Sequence, residues 1–306
     1  MCDRRILDDE RIVFTMLANE PAGGQRYGYM DRQTFLKINF RATVVDWTID
    51  VALRYRLSQE TVYLATAVLD GYLQTVTTKV FSYNFQLLGI VCLLIASKIE
   101  DIKSLTVTNV VAVCAKTYER IDVVRTEGLV AHALNWNLHI PTAWNFLAWL
   151  VSCDGRTSAD VGLLAQYIVE LVIIEYGSLL WSPSHIACTA LCIARQHGRV
   201  RPVLCRMAAD MLACSLIDIR PCALIVFDML ACRNAKLTAV QRKYKDGVVV
   251  IDGTWDVLAR HITKAWPPGD GDAGVLLQVL EWGLFSQTNL TAFEIWSGLK
   301  HACRNF

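Results

Sequence analysis

Phe40-Arg41-Ala42-Thr43-Val44-Val45-Asp46-Trp47 places an arginine, an aspartate and a tryptophan inside an otherwise apolar run with helical spacing. Later apolar stretches repeat the oddity. Lys98 closes the segment Leu94-Ile95-Ala96-Ser97-Lys98, and Glu127 lies in the middle of another. Charges set among so many apolar neighbours need partners, because a polar group taken from water without one carries a large desolvation cost. Where those partners lie decides what the chain does.

Outward from that run, apolar residues recur at helical spacing along nearly the whole chain and almost nowhere alternate strictly. The spacing predicts helices near 8–19, 33–56, 59–76, 82–99, 106–117 and 121–135. After a break at Ile140-Pro141 it predicts more near 142–152, 158–175, 183–197, 201–212, 217–232 and 236–244. Ser58 reads as an N-cap, Thr157 with Asp160 resembles a capping box, and Pro141 and Pro183 suit first-turn positions. Gly155 and Gly177 suit loops between helices. The fold class is all-α.

The halves resemble each other. Leu64-Ala65 is followed by Asp70, and Leu164-Ala165 is followed at the same interval by Glu170. Gly89, Cys92 and Ala96 form a small-residue stripe that Ala187, Ala190 and Ala194 repeat. Such stripes let neighbouring helices approach closely, as at the centre of a bundle. The repeat favours tandem five-helix folds. The boundaries read as an N-terminal helix and lead-in at 1–30, a first fold at 31–140, a second at 141–246 and a helical tail at 247–306. That tail contains a β-like run at 248–251, the breaker Pro267-Pro268-Gly269-Asp270-Gly271 and patterned stretches at 255–265, 274–285 and 291–303. Trp255, Trp266, Trp282 and Trp296 lie in it, and disordered tails are poor in aromatics, so the tail is expected to be ordered and docked.

The 306 residues are 54% apolar and 19% charged, with a net charge of +1, so bulk electrostatics point neither to nucleic acid nor to an acidic membrane. The apolar runs are too short or too interrupted by charge to span a bilayer, and no signal peptide is read at the start. Eleven cysteines form no CxxC pair and fall mostly in helical apolar patterns, which suggests reduced core thiols. His185-x-x-Cys188-x-x-x-Cys192 has ligand-like spacing, but its gaps are core-like, and no metal or other cofactor is expected. No glycine-rich phosphate loop, His-Arg-Asp or Asp-Phe-Gly motif is present, and the six histidines are scattered. The chain is therefore expected not to be an enzyme.

Phe40–Trp47, followed by Asp70, Gln86, Leu94–Lys98 and Glu127, resembles a cyclin box. Gly28-Tyr29-Met30 ahead of it, Leu134-Asn135-Trp136-Asn137-Leu138 and Pro141-Thr142 after it, and then Leu164–Tyr176, Ser182–Ala187, Arg220-Pro221-Cys222 and Arg242–Lys245 all resemble the A/B-type family. The resemblance covers roughly 8–246. It implies a buried Arg41–Asp70 salt bridge, which is also the simplest account of two charges on adjacent apolar helices. It further implies that Lys98 and Glu127 hydrogen-bond the backbone at one helix of a cyclin-dependent kinase, with Ile12, Ile99, Trp136 and Leu138 around them. The plain alternative is a solvated lysine near a helix C-terminus and an unrelated surface glutamate. Ile99 stands where the family has Phe, Trp136 replaces a Phe, Ala131 replaces a larger residue, and Asp8 departs from an aromatic.

Phe40, Thr43, Val44, Trp47, Asp50 and Gln86 match the cyclin patch that captures RxL-type peptides. Phe40, Val44 and Trp47 share a helical face, Asp50 is placed to pair with the peptide's arginine, and Gln86 is placed to hold its backbone. The alternative is that this face is simply core. The function implied is a regulatory subunit that activates a cyclin-dependent kinase as a heterodimer, recruits RxL substrates or inhibitors, controls cell-cycle progression and resides in nucleus and cytoplasm. The rival is a cyclin-fold adaptor without kinase activation.

Overall fold

The computed structural model describes residues 4–154, 157–197 and 238–244, with Cys222, Ala223 and Val226 between them. There is no strand among the described residues. Helices α1 (Arg4–Asn19) and α2 (Tyr29–Arg32) lead into the first fold. It comprises α3 (Ile38–Tyr55), α4 (Gln59–Thr75), α5 (Ser82–Glu100), α6 (Val107–Val113) and α7 (Arg120–Ala133). Then come α8 (Ala143–Asp154), α9 (Ala159–Ile174), a 3-10 turn at Tyr176–Leu180, α10 (Pro183–His197) and α11 (Ala239–Tyr244). The helix expected near 201–212, most of that near 217–232, Gly155, the β-like run and the tail lie outside the described residues.

Helix α5 is the axis of the first fold. It is buried continuously from Leu87 to Ser97, as an all-round apolar helix must be. By length and composition alone it could cross a bilayer, but here α3, α4 and α7 pack around it. Helix α3 crosses it at Gly89, where an added Cβ would stand 2.2 Å from Val44 Cγ1. Nothing larger than glycine fits there without movement. In the second fold α10 packs on α8 and α9, with Ala187, Ala190 and Ala194 buried.

One predicted helix is corrected. The stretch 33–56 is not continuous, because Gln33 to Lys37 leaves the helix and α3 starts at Ile38. The cause is Gln33, whose buried side chain bonds to backbone on a different loop. Its amide N–H donates to the Thr78 carbonyl at 3.1 Å, and its amide oxygen accepts from the Val80 N–H at 2.8 Å. Those two bonds tie the lead-in to the α4–α5 connection at the expense of helix.

The helix signals mostly fall where they were read. Ser58 accepts the Thr61 N–H at 3.3 Å and caps α4, and Pro183 opens α10. Two shift. Ser158, not Thr157, caps α9 through the Val161 N–H. Pro141 lies outside α8, whose start is set by Thr142, with its N–H and hydroxyl both donating to Asn145 Oδ1 at 2.9 and 2.7 Å. Gly177 sits within the 3-10 turn.

Candidate functional site

The Arg41 guanidinium is buried, and four contacts take up four of its five N–H donors. Nε donates to Asp70 Oδ1 at 2.8 Å and Nη2 to Oδ2 at 2.7 Å, a bidentate pair between α3 and α4. Nη1 reaches the second fold and donates to the carbonyls of Ile173 and Ile174 at 3.0 and 2.8 Å, at the C-terminus of α9. That helix end carries unsatisfied carbonyls and partial negative charge, so a cation is well placed there. Burial by itself would lower the arginine's pKa, but the Asp70 carboxylate outweighs it and the pKa rises.

Tyr29 is a third member, which nothing in the sequence assigns to this cluster. Its hydroxyl donates to Asp70 Oδ1 at 2.7 Å, and burial beside that carboxylate pushes its pKa well up. Gly28 just before it adopts φ 94°, a left-handed conformation that favours glycine. In that conformation its N–H donates to the Tyr176 hydroxyl oxygen at 2.7 Å. The lead-in is thereby pinned to both folds at one point.

The second fold has its own buried acid. Glu170 is fully buried and accepts Lys243 Nζ at 2.7 and 2.8 Å. It stands at the repeat position of Asp70, and its partner comes from α11. The repeat was legible in the sequence; the partner lay 73 residues away and was not.

Lys98 and Glu127 meet. The ammonium in the last turn of α5 donates to Glu127 Oε1 on α7, in a partly exposed pair that joins the two helices. Ile99 follows, half-buried. Trp136 is 71% exposed and Leu138 half-buried, just beyond α7. Asn135 and Trp136 both have positive φ, 50° and 61°, with the Trp136 N–H donating to the Ala131 carbonyl at 2.8 Å. A bulky residue there is strained, and such strain clusters at working surfaces. Ile12 is 54% exposed on α1, which packs on α8.

Sequence reading missed Ile102, Ile121, Val124 and Leu129, all exposed apolar side chains. A signal existed. Helix α7 buries Val123 and Val130 on one face, yet has apolar residues on the others as well, more than one buried stripe requires. Ile121, Val124 and Leu129 share α7 with Glu127, and Ile102 follows Lys98 by four residues.

The docking patch is less open than read. Val44 is a correction: it does not face solvent but is buried under α5 at Gly89. Phe40 and Trp47 are half-buried against the core, while Thr43 and Gln86 are exposed. The Thr43 hydroxyl donates to the Asn39 carbonyl at 2.8 Å. Asp50 is half-buried and already paired, with Arg242 Nη2 2.6 Å from Oδ2. One turn earlier Asp46, whose charge had been noted without a partner, accepts the Ala239 N–H at 3.1 Å. Burial pushes the Asp46 carboxyl up, and the Ala239 bond opposes that. Together Asp46 and Asp50 hold α11 against α3.

No group of three or more His, Cys, Asp or Glu among the described residues could hold a metal ion. His185 Nδ1 is instead 2.7 Å from Ser182 Oγ, and Cys188 and Cys192 are buried in the core. A cavity of about 70 Å³ between the folds, lined by Arg26, Pro141, Leu179 and Trp181 among others, is far smaller than the roughly 300–1,000 Å³ of ordinary cofactor pockets.

Comparison with known proteins gives a consistent result. The family model for the cyclin N-terminal domain matches residues 11–139, and that for the cyclin C-terminal domain matches 141–249. The chain is 33% identical over 214 residues to G2/mitotic-specific cyclin C13-1 of Daucus carota, covering 68% of this chain and 62% of that protein. It is 30% identical to G2/mitotic-specific cyclin S13-7 of Glycine max, covering 72% and 85%, and 32% identical to G2/mitotic-specific cyclin-B2 of Gallus gallus, covering 71% and 54%. The match spans 52% of the G2/mitotic-specific cyclin-A of Hydra viridissima, so for several relatives the chain corresponds to about half their length. Among solved structures, a viral cyclin from herpesvirus saimiri superposes with a TM-score of 0.56 at 20% identity, covering 64% of this chain and 86% of that one, a likeness of fold. Two matching domain models, relatives at this identity and tandem helical folds locked by Arg41 place the chain in the cyclin family.

Proposed function

We propose that this cyclin binds a cyclin-dependent kinase as a heterodimer and activates it by clamping the kinase's C-helix, and so controls cell-cycle progression. The observation that carries the reading is the Lys98–Glu127 pair. It is partly exposed, it joins α5 to α7, and exposed apolar side chains lie on and beyond those same helices. A surface ion pair is worth about 0–1 kcal/mol to the fold, so stability is a poor reason for it. An ammonium with spare donors, oriented by a carboxylate with spare lone pairs, suits the unpaired backbone groups at another helix's end. A kinase needs its C-helix glutamate swung in to meet the β3 lysine, and a partner that binds only that conformation shifts the population toward it. In this reading the chain supplies no catalytic group and works in nucleus and cytoplasm, without nucleic acid, membrane or cofactor.

The test is co-expression with a panel of such kinases and assay of histone phosphorylation. Replacing both Lys98 and Glu127 by Ala should abolish activation and leave the melting temperature nearly unchanged. Full activation by that double variant would remove the clamp.

The same reading includes recruitment of RxL peptides at Phe40, Trp47 and Gln86, with the peptide's arginine competing with Arg242 for Asp50. Trp47→Ala should slow phosphorylation of RxL substrates far more than of short peptides lacking the motif. Equal slowing of both would refute docking at this face.

A further inference from the structure

One turn before Gln86 on α5, a second exposed feature is built around the two loops that Gln33 ties together. Phe35 stacks on Phe81 with ring centroids 4.7 Å apart, and Phe81 stacks on Tyr83 at 5.5 Å and 14°. The Lys79 ammonium lies 5.7 Å from the Phe35 ring centre. These rings are not core: Phe35 is 47%, Phe81 42% and Tyr83 67% exposed, and Ile38 beside them is exposed too. The column is rigidly mounted. The buried Gln33 amide fixes both loops, and the Tyr83 carbonyl accepts the Tyr118 hydroxyl at 2.7 Å. Three exposed aromatics on a fixed mount are what a docking surface needs and what an isolated fold avoids.

The chemistry of the column selects its occupant. Phe81 is engaged by both neighbours and Phe35 by Lys79 as well, so a visitor meets chiefly ring edges and the Tyr83 ring. Ring edges carry the positive part of the aromatic quadrupole and favour acceptors. The two loops add Lys37 and Lys79 and no acid, and the end of α2 just before them carries Asp31 and Arg32, the latter bonded to the uncharged Gln74. Near the Tyr83 end, Lys116 and Glu119 offset each other. We propose that this aromatic column, Phe35–Phe81–Tyr83 with its lysines, docks an acidic linear peptide whose own aromatic side chain extends the stack at Tyr83. Single-stranded nucleic acid is disfavoured, because it needs free ring faces for successive bases and these faces are mostly used.

The test uses the full chain and a short fluorescein-labelled peptide with one phenylalanine flanked by aspartates and glutamates and no arginine, so that it cannot engage an RxL site. Fluorescence polarisation should show it binding about tenfold more tightly than a counterpart with lysines in place of the acids, with added salt weakening the difference. Tyr83→Ala and Lys79→Glu should each weaken binding about tenfold, as loss of a stacked ring or reversal of a charge implies, while circular dichroism stays unchanged. Equal binding of acidic and basic peptides, indifference to Tyr83→Ala, absence of any binding, or tighter binding of oligothymidine would each overturn the proposal.

Discussion

At the scale of single residues, the first fold is set by one very large and one very small side chain. Arg41 is among the largest fully buried side chains in the molecule, and Gly89 admits Val44 where nothing else fits. The second claim is directly testable. Gly89→Ala should destabilise by about 1–3 kcal/mol through overpacking. Adding Val44→Ala should then cost less than the two single changes summed, because the smaller side chain frees the space the new methyl needs. Strict additivity in chemical denaturation would show that the two residues do not press on each other. The same contact explains the correction at Val44. Helical periodicity put it on a face with Phe40 and Trp47, but whether that face is covered depends on how closely α5 approaches.

At the scale of elements, α11 is the piece that depends most on the rest of the fold. It is a helix of six residues, too short to stand alone in water, and it is held by side chains from elsewhere. Asp46 takes its first free N–H, Asp50 takes Arg242, and Glu170 takes Lys243. The Asp46 carboxyl titrates higher in the fold than in the unfolded chain, so the folded state binds that proton more tightly. Its contribution to stability is complete at low pH and weakens as pH rises from the ordinary carboxylate range through the raised value. Asp46→Asn keeps an acceptor for the Ala239 N–H and removes that titration. Urea denaturation should show the variant gaining on the wild type as pH rises through this window; a difference independent of pH would contradict the assignment.

At the scale of the whole molecule, Arg41 joins three parts: α3 to α4 through Asp70, the lead-in through Tyr29, and the second fold through the end of α9. Arg41→Ala leaves Asp70 charged and buried without its partner, at a cost of about 3–5 kcal/mol. Because the lost contacts lie on both folds, the two should still melt as one transition in calorimetry, at a lower temperature. Two separated transitions would mean that this residue couples the folds by itself and that the packing of α3 on α9 and of α4 on α8 does not.

The sequence by itself determined the all-helical class, the two-fold repeat, most helix boundaries and the family. These follow from local or periodic patterns: apolar spacing, capping residues and motifs a few residues long. The Arg41–Asp70 pairing was also legible, because two charges on adjacent apolar helices have little choice of partner. Only the tertiary structure decided that Asp50 is held by Arg242 192 residues on, that Glu170 is met by Lys243, and that Gln33 breaks a helix to tie two loops. It alone distinguished the buried Val44 from the exposed Ile121, Val124 and Tyr83. A helical period reports which residues share a face. It does not report what, if anything, covers that face, since this depends on contacts between segments far apart in the chain.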